Sequence, residues 1–136
     1  MTAPVALRGR LLLLEPQFVL RRTVALMARD MGLADVQEAT TPAIAEKLLQ
    51  EHRFNAVLLA VDDDGAALEL VRQVRAGSTV QAPDIPVVAT AASCDVELAL
   101  RLKQLDVNRL LLKPFKVRGM LEAISAVGAR TPMAER

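Results

Sequence analysis

The segment from Leu110 to Phe115, which reads Leu-Leu-Leu-Lys-Pro-Phe, is the most informative stretch of this 136-residue chain. Three consecutive leucines are typical of a strand that is covered on both faces, because such strands are apolar throughout. Lys113 and Pro114 then end the strand and leave a cation at its carboxyl end. The meaning of that cation depends on the elements that come before it.

On both sides of this segment, the sequence alternates a strand pattern with a helix pattern. Apolar runs or short strand-like segments occur at residues 11–14, 35–39, 56–61 and from 86 onward. Helical spacing of apolar residues follows at 18–31, 42–52, 67–76, 95–104 and from 117 onward. The sequence therefore predicts five strand and helix pairs.

Some helix boundaries are also predicted. Thr41 and Pro42 form a good helix start, with a hydroxyl cap followed by a proline in the first turn. Gly77 is expected to end the third helix, and Ser93 to cap the fourth. On the first helix, Arg21 and Arg22 are expected to face water.

This alternation predicts a doubly wound parallel sheet of the α/β class, with helices on both faces. In such folds functional residues lie at the carboxyl ends of the strands. Those ends fall at Glu15, Ala60, Ala91 and Lys113.

Composition limits the possible functions. The chain has 17 basic and 16 acidic residues and a net charge of +1, so no strong field would attract nucleic acid or anionic lipid. Its one cysteine excludes an internal disulfide, and no apolar run approaches the roughly 20 residues that span a bilayer. We expect a cytoplasmic protein of one domain, residues 1–136, with a core at about 10–128, short tails and no attached output domain.

The order of elements, with three local matches, resembles the receiver domain of bacterial response regulators. The matches are Leu-Leu-Leu-Leu-Glu at 11–15 with two arginines at 21–22, Ile-Pro-Val-Val at 85–88, and Leu-Leu-Lys-Pro-Phe at 111–115. The resemblance covers residues 10–128. It implies a flavodoxin-like, five-stranded parallel sheet with five helices, and a role in two-component phosphorelay signalling.

In the family, two adjacent acids after the first strand hold Mg²⁺, and an aspartate that ends the third strand accepts the phosphoryl group. Here Glu15 matches the first acid, Pro16 stands in place of the second, and Ala60 stands in place of the acceptor. An alanine methyl cannot be phosphorylated. The resemblance therefore implies a pseudo-receiver without catalytic residues, with no cofactor unless the degenerate pocket still binds Mg²⁺.

Two further family positions are altered. A Thr or Ser normally ends the fourth strand; counting from Pro86 gives Ala91, and a shift of one residue would give Thr90. The aromatic residue three before the lysine is replaced by Leu110. The family also implies a cis bond before Pro114.

Lys113 still needs an anionic partner, because a buried and unpaired ammonium is costly. Glu15 and Asp62 are the two candidates for a structural ion pair. Asp62 belongs to an acidic run at 62–64 and should point to the same side as Ala60, because side chains alternate along a strand. It could hold a divalent cation with Glu15, act as a displaced phosphoryl acceptor, or lie in a solvated loop with Asp63 and Asp64.

The fourth helix is apolar on two sides. One side carries Leu98 and Leu102, and the other carries Val96 and Leu100. Only one side can face the sheet. Either neighbouring loops partly cover both sides, or the alternation at 96, 98, 100 and 102 is a misleading local pattern, or one side is an interface for a partner. The sequence leaves these alternatives open.

These observations predict a binding module that acts independently of phosphate. Expected partners are signalling proteins, such as a histidine kinase or an output protein, and a homodimer is a further possibility. One rival hypothesis is a receiver still switched by phosphate or metal at Asp62. The other is a small enzyme on the same scaffold, which is disfavoured because the sequence has no Gly-rich phosphate loop and no metal-ligand spacing.

Overall fold

A computed structural model describes residues 9–32, 35–62 and 65–130. In these residues five strands alternate with five helices. The strands are β1 (Arg10–Leu14), β2 (Asp35–Ala39), β3 (Ala56–Ala60), β4 (Val87–Ala91) and β5 (Arg109–Leu112). The helices are α1 (Phe18–Asp30), α2 (Pro42–Glu51), α3 (Ala66–Arg75), α4 (Val96–Gln104) and α5 (Val117–Arg130).

The strands form one parallel sheet in the order β2-β1-β3-β4-β5. All the carboxyl ends therefore meet at one edge, which is the edge that the sequence predicts to be functional. The prediction of a doubly wound, five-stranded parallel sheet with five helices is confirmed.

The core has two parts, one on each face of the sheet. Side chains of β3 alternate between them: Leu59 packs in the cluster that contains Leu102 of α4, and Leu58 packs in the cluster that contains Met120 of α5.

None of the helices in the described residues is both long and apolar enough to cross a bilayer.

The structure confirms one predicted helix cap and corrects another. The Thr41 hydroxyl accepts a hydrogen bond from the Ile44 amide (3.2 Å) and caps α2, as predicted. The prediction of Ser93 as the cap of α4 was wrong. Asp95 caps this helix by accepting from the Leu98 amide (2.8 Å), because α4 begins at Val96 and the capping residue directly precedes the first helical residue.

Arg21 is also placed differently from the prediction. Its side chain is buried rather than hydrated, because Glu38 of β2 lies 3.0 Å from its Nε atom. Arg22 and Arg29 also contact Glu38, so one carboxylate on the edge strand gathers three guanidinium groups of α1. Burial of Arg21 is possible because its charge is paired with Glu38 and its guanidinium also donates to the Glu15 carbonyl.

Candidate functional site at the carboxyl edge of the sheet

The site begins at Glu15, the residue directly after β1. Glu15 is buried, its amide donates to the carbonyl of Ala39 (3.1 Å), and its Oε2 atom accepts from the Gln17 amide (2.9 Å). The guanidinium of Arg21 donates to the Glu15 carbonyl (3.1 Å). These contacts hold the carboxylate at the edge of the sheet.

Lys113 approaches the same point from the other side of the sheet. Its amide donates to the carbonyl of Ala91 at the end of β4 (2.8 Å), and the peptide bond to Pro114 is cis. The Nζ atom lies 3.1 Å from Glu15 Oε1 and 3.1 Å from Asp62 Oδ2. The structure thus brings together both carboxylates that the sequence offers as alternative partners.

The three side chains differ in exposure. The Glu15 side chain is 4% exposed, that of Lys113 is 18% exposed, and that of Asp62 is 37% exposed. Partial burial lowers the pKa of Lys113, but its hydrogen bonds to Glu15 and Asp62, together with their charges, outweigh this effect and hold the pKa above its usual value. Lys113 is therefore a fixed cation at neutral pH.

Asp62 makes a second contact that the sequence analysis missed. Its Oδ1 atom accepts from the amide of Ala92 (2.6 Å), directly after β4. A backbone N–H has no side-chain signature, so nothing in the residue pattern identifies this donor. Asp63 and Asp64, the rest of the acidic run, lie outside the described residues.

A cavity of about 280 Å³ opens beside these groups. Glu15, Asp62 and Lys113 line it together with Pro16 and Ala60, the two residues that replace acids of the family pattern. The five positions therefore converge in space, although Pro16 and Ala60 bring no carboxylate. Ala60 is buried at the last position of β3.

The structure shows which residue ends β4. The strand ends at Ala91, and Thr90 pairs in register with Ala60 and Leu111. Ala91 packs in the core cluster on the α4 side. Leu110 is half-buried and packs against the same cluster.

The family pattern implies Mg²⁺, and the described residues do not fit that ion. Both oxygens of Glu15 and both oxygens of Asp62 already accept hydrogen bonds, two of them from the Lys113 ammonium. An ammonium between two carboxylates repels a divalent cation. No group of three potential metal-ligating side chains occurs within the part of the chain that the structure describes.

The two apolar sides of α4 have different environments. Leu102 is 6% exposed and Leu98 is half-buried, and both pack on the sheet, so these two candidates do not belong to a free interface. Val96 is 76% exposed and Leu100 is 55% exposed. Leu112 of the edge strand β5 is also half exposed.

A five-stranded parallel sheet with an acid after β1 and a lysine and cis-proline after β5 defines a receiver-type signalling domain. Residues 11–125 match the family model of the response regulator receiver domain. The chain therefore belongs to the response regulator receiver family of two-component signalling.

Known relatives agree with this assignment. The chemotaxis protein CheY-3 of Vibrio cholerae is 25% identical over 122 residues, which cover 89% of this chain and 92% of the relative. A CheY-like receiver domain protein of Methanospirillum hungatei superposes with a TM-score of 0.82, 16% identity and coverage of 92% of this chain and 97% of that one. The HemR receiver domain of Leptospira biflexa superposes with a TM-score of 0.78, 24% identity and coverage of 88% and 94%. The two superpositions support the fold alone.

Proposed function

We propose that this receiver domain works without phosphorylation and acts by binding other proteins of a two-component signalling pathway. The observation that carries the proposal is Ala60, which ends β3 where the family pattern has the phosphoryl-accepting aspartate. A methyl group offers no oxygen for phosphoryl transfer. Pro16 supports the proposal, because it removes a carboxylate from the place where the family holds Mg²⁺.

The surroundings of Lys113 favour the same reading. Its ammonium is already neutralised by two carboxylates of the same chain at 3.1 Å. A phosphoryl group would have to displace one of them and add negative charge beside the buried Glu15. We infer a degenerate phosphorylation pocket that has become a structural ion-pair site.

Intact-mass measurement after incubation with acetyl phosphate and Mg²⁺ tests this proposal. We expect no added phosphoryl mass, whereas a receiver domain that has the acceptor aspartate, treated in parallel, should gain one. A stoichiometric adduct on this chain would overturn the proposal.

A second candidate function is a receiver switched by phosphate at Asp62. The observation in its favour is that the Asp62 side chain is 37% exposed and lies 3.1 Å from Lys113. Peptide mapping of any adduct distinguishes this alternative. An adduct on Asp62 would establish it, and a mass spectrum without an adduct would exclude it.

The proposed interface is the outer surface of α4, represented by Val96 and Leu100. Exposed apolar side chains on a soluble domain often mark a binding surface. Leu112 extends this apolar character. It lies two residues after Leu110 and therefore on the same face of the edge strand β5, which is the α4 side. A histidine kinase, an output protein or a second copy of the chain would bind there.

We further propose a cytoplasmic binding module rather than a catalyst, with no nucleic-acid partner. The sequence has no Gly-rich phosphate loop, and its net charge is only +1. Turnover of any member of a panel of phosphate, acyl and glycosyl substrates by the purified protein would contradict this assignment, while retention of a signalling protein on the immobilised domain would support it.

A further inference from the structure

The carboxylate of Asp62 connects three strand ends. Asp62 follows β3, its Oδ1 atom accepts from the Ala92 amide after β4, and its Oδ2 atom accepts from Lys113 after β5. The main chain supports this arrangement, because the Val61 amide donates to the Thr90 carbonyl (2.8 Å) and holds the end of β3 against β4. The Asp62 carboxylate thus connects the ends of β3 and β5 to the segment that leads into α4.

The two donors that meet on Asp62 form a small anion site. One is a backbone N–H at 2.6 Å and the other is an ammonium at 3.1 Å. Charge-assisted hydrogen bonds of this kind are stronger than neutral ones. The family resemblance assigns the ammonium of Lys113 to a phosphoryl group, whereas here its charge partners are two carboxylates of the chain itself, Glu15 and Asp62.

We propose that Asp62 is a permanent internal anion that fills an oxyanion site formed by Lys113 Nζ and the Ala92 amide. In this position it holds residues 92–95, the link between β4 and α4, without phosphate. The inference rests on the proposed phosphate-independent function and deepens it, because it explains what keeps the start of α4 in place when no phosphoryl group is added.

We expect the wild-type site to accept no external oxyanion, because of the charges around Lys113. Lys113 contributes one positive charge, and Glu15 and Asp62 contribute two negative charges within hydrogen-bond distance of it. A further anion would meet a site that is already net negative. Removing the Asp62 carboxylate leaves a neutral pair of Lys113 and Glu15 and frees the Ala92 amide.

Amide hydrogen exchange tests the link directly. In Asp62→Ala we expect the Ala92 amide to exchange at least about tenfold faster, since a lost hydrogen bond to a charged acceptor changes the local opening equilibrium by this order. The Lys113 amide, which donates to Ala91, should change less and reports on loosening of the whole edge. Glu97→Ala is the matched control, because Glu97 lines the neighbouring cavity together with Asp62, whereas the Ala92 amide donates to Asp62.

Inorganic phosphate then probes the vacated site. Titration of phosphate into Asp62→Ala should shift the Ala92 amide resonance saturably, with at least about tenfold higher affinity than in the wild type, which corresponds to one charge-assisted hydrogen bond regained. The double variant Asp62→Ala/Lys113→Met should show no such shift. Should Asp62→Ala fail to fold, Asp62→Asn retains an acceptor oxygen without the charge and should give a smaller increase in Ala92 exchange.

Ala92 exchange at the wild-type rate in the folded variants would overturn the inference, as would equal phosphate binding by wild type and Asp62→Ala. The proposed function fails by a different result, a phosphoryl adduct on the wild-type protein. Exchange at Ala92 is measured on unmodified protein, so the two failures are distinguishable.

Discussion

Glu15 and Lys113 face each other across the carboxyl edge of the sheet, with Oε1 and Nζ 3.1 Å apart. The carboxylate is almost fully buried, and its Oε2 atom is occupied by the Gln17 amide. A buried ion pair repays its desolvation only when further hydrogen bonds satisfy its remaining polar groups, and the Gln17 amide supplies one such bond here. Burial of each charged group therefore depends on the other group. This structural role does not require phosphate chemistry.

Replacement of Lys113 by Met should destabilise the domain. Removing one partner of a buried pair costs about 3–5 kcal/mol, and we expect less here because water reaches Asp62. The midpoint of urea unfolding measures the change. Lys103→Met, which removes an exposed lysine of α4, is the control and should leave the midpoint unaltered. An unchanged or higher midpoint for Lys113→Met would show that the pair has no structural role.

Above neutral pH, the contribution of Lys113 to stability should decrease only in strongly alkaline solution. Because its pKa in the folded state lies above the ordinary value of 10.5, the stabilisation is fully present below that value and is lost as the pH rises through the folded-state pKa. The difference in unfolding free energy between wild type and Lys113→Met should therefore stay constant from neutral pH to about 10.5 and then decrease. A difference that already disappears near neutral pH would contradict a raised pKa.

The two sides of α4 should respond differently to a buried or exposed charge. Leu102→Glu places a carboxylate in the core and should unfold the domain, because an unpaired buried charge is very costly. Leu100→Glu should leave the far-UV circular dichroism spectrum unchanged and abolish self-association in sedimentation or retention of a signalling partner. Wild-type behaviour of folded Leu100→Glu in both binding assays would exclude this surface as the interface.

Gln81 should stabilise the fold through hydrogen bonds of its buried side chain to the end of α2 and the segment before β3. Its buried amide accepts from the Phe54 amide (2.9 Å) and donates to the carbonyls of Leu49 (2.8 Å) and His52. Gln81→Leu leaves these backbone groups unsatisfied, and each costs about 1–3 kcal/mol when buried. Thermal unfolding should show a large loss of stability, while Gln104→Leu, an exposed change on α4, should show little. Equal melting temperatures for the two variants would refute this role.

Arg75 should not tolerate lysine. Its guanidinium donates to the carbonyls of Pro83, Ile85, Leu105 and Asp106 at 2.7–2.9 Å, joining the end of α3 to the loops before β4 and β5. A lysine ammonium cannot reach four acceptors in this planar arrangement. We expect Arg75→Lys to lower the urea midpoint, whereas Arg72→Lys, which affects an exposed contact with Glu69 on the same helix, should not. A midpoint for Arg75→Lys equal to that of the control would disprove the role.

Sequence alone was sufficient for most of the fold, because its signals are local. The apolar runs at 11–14 and 56–61 and the helical spacing after each one identify the elements. A helix that connects each strand to the next favours parallel strands, because parallel neighbours need a crossover connection. The meeting of Glu15 with Lys113 follows from the same logic, since parallel strands place their carboxyl ends at one edge. The residues that replace the family acids, Pro16 and Ala60, were equally visible in the sequence.

Only the tertiary structure decided how the remaining groups are used. Leucines occur on both sides of α4, so packing against β4 and β5 had to select Leu102 for the core and leave Leu100 exposed. Arg21 is buried because Glu38 arrives on a separate strand, and Asp62 is held by a backbone amide whose position depends on β4. The physical reason is shared: burial and hydrogen-bond partners arise from contacts between distant segments, whereas the sequence pattern reports on periodicity within one segment.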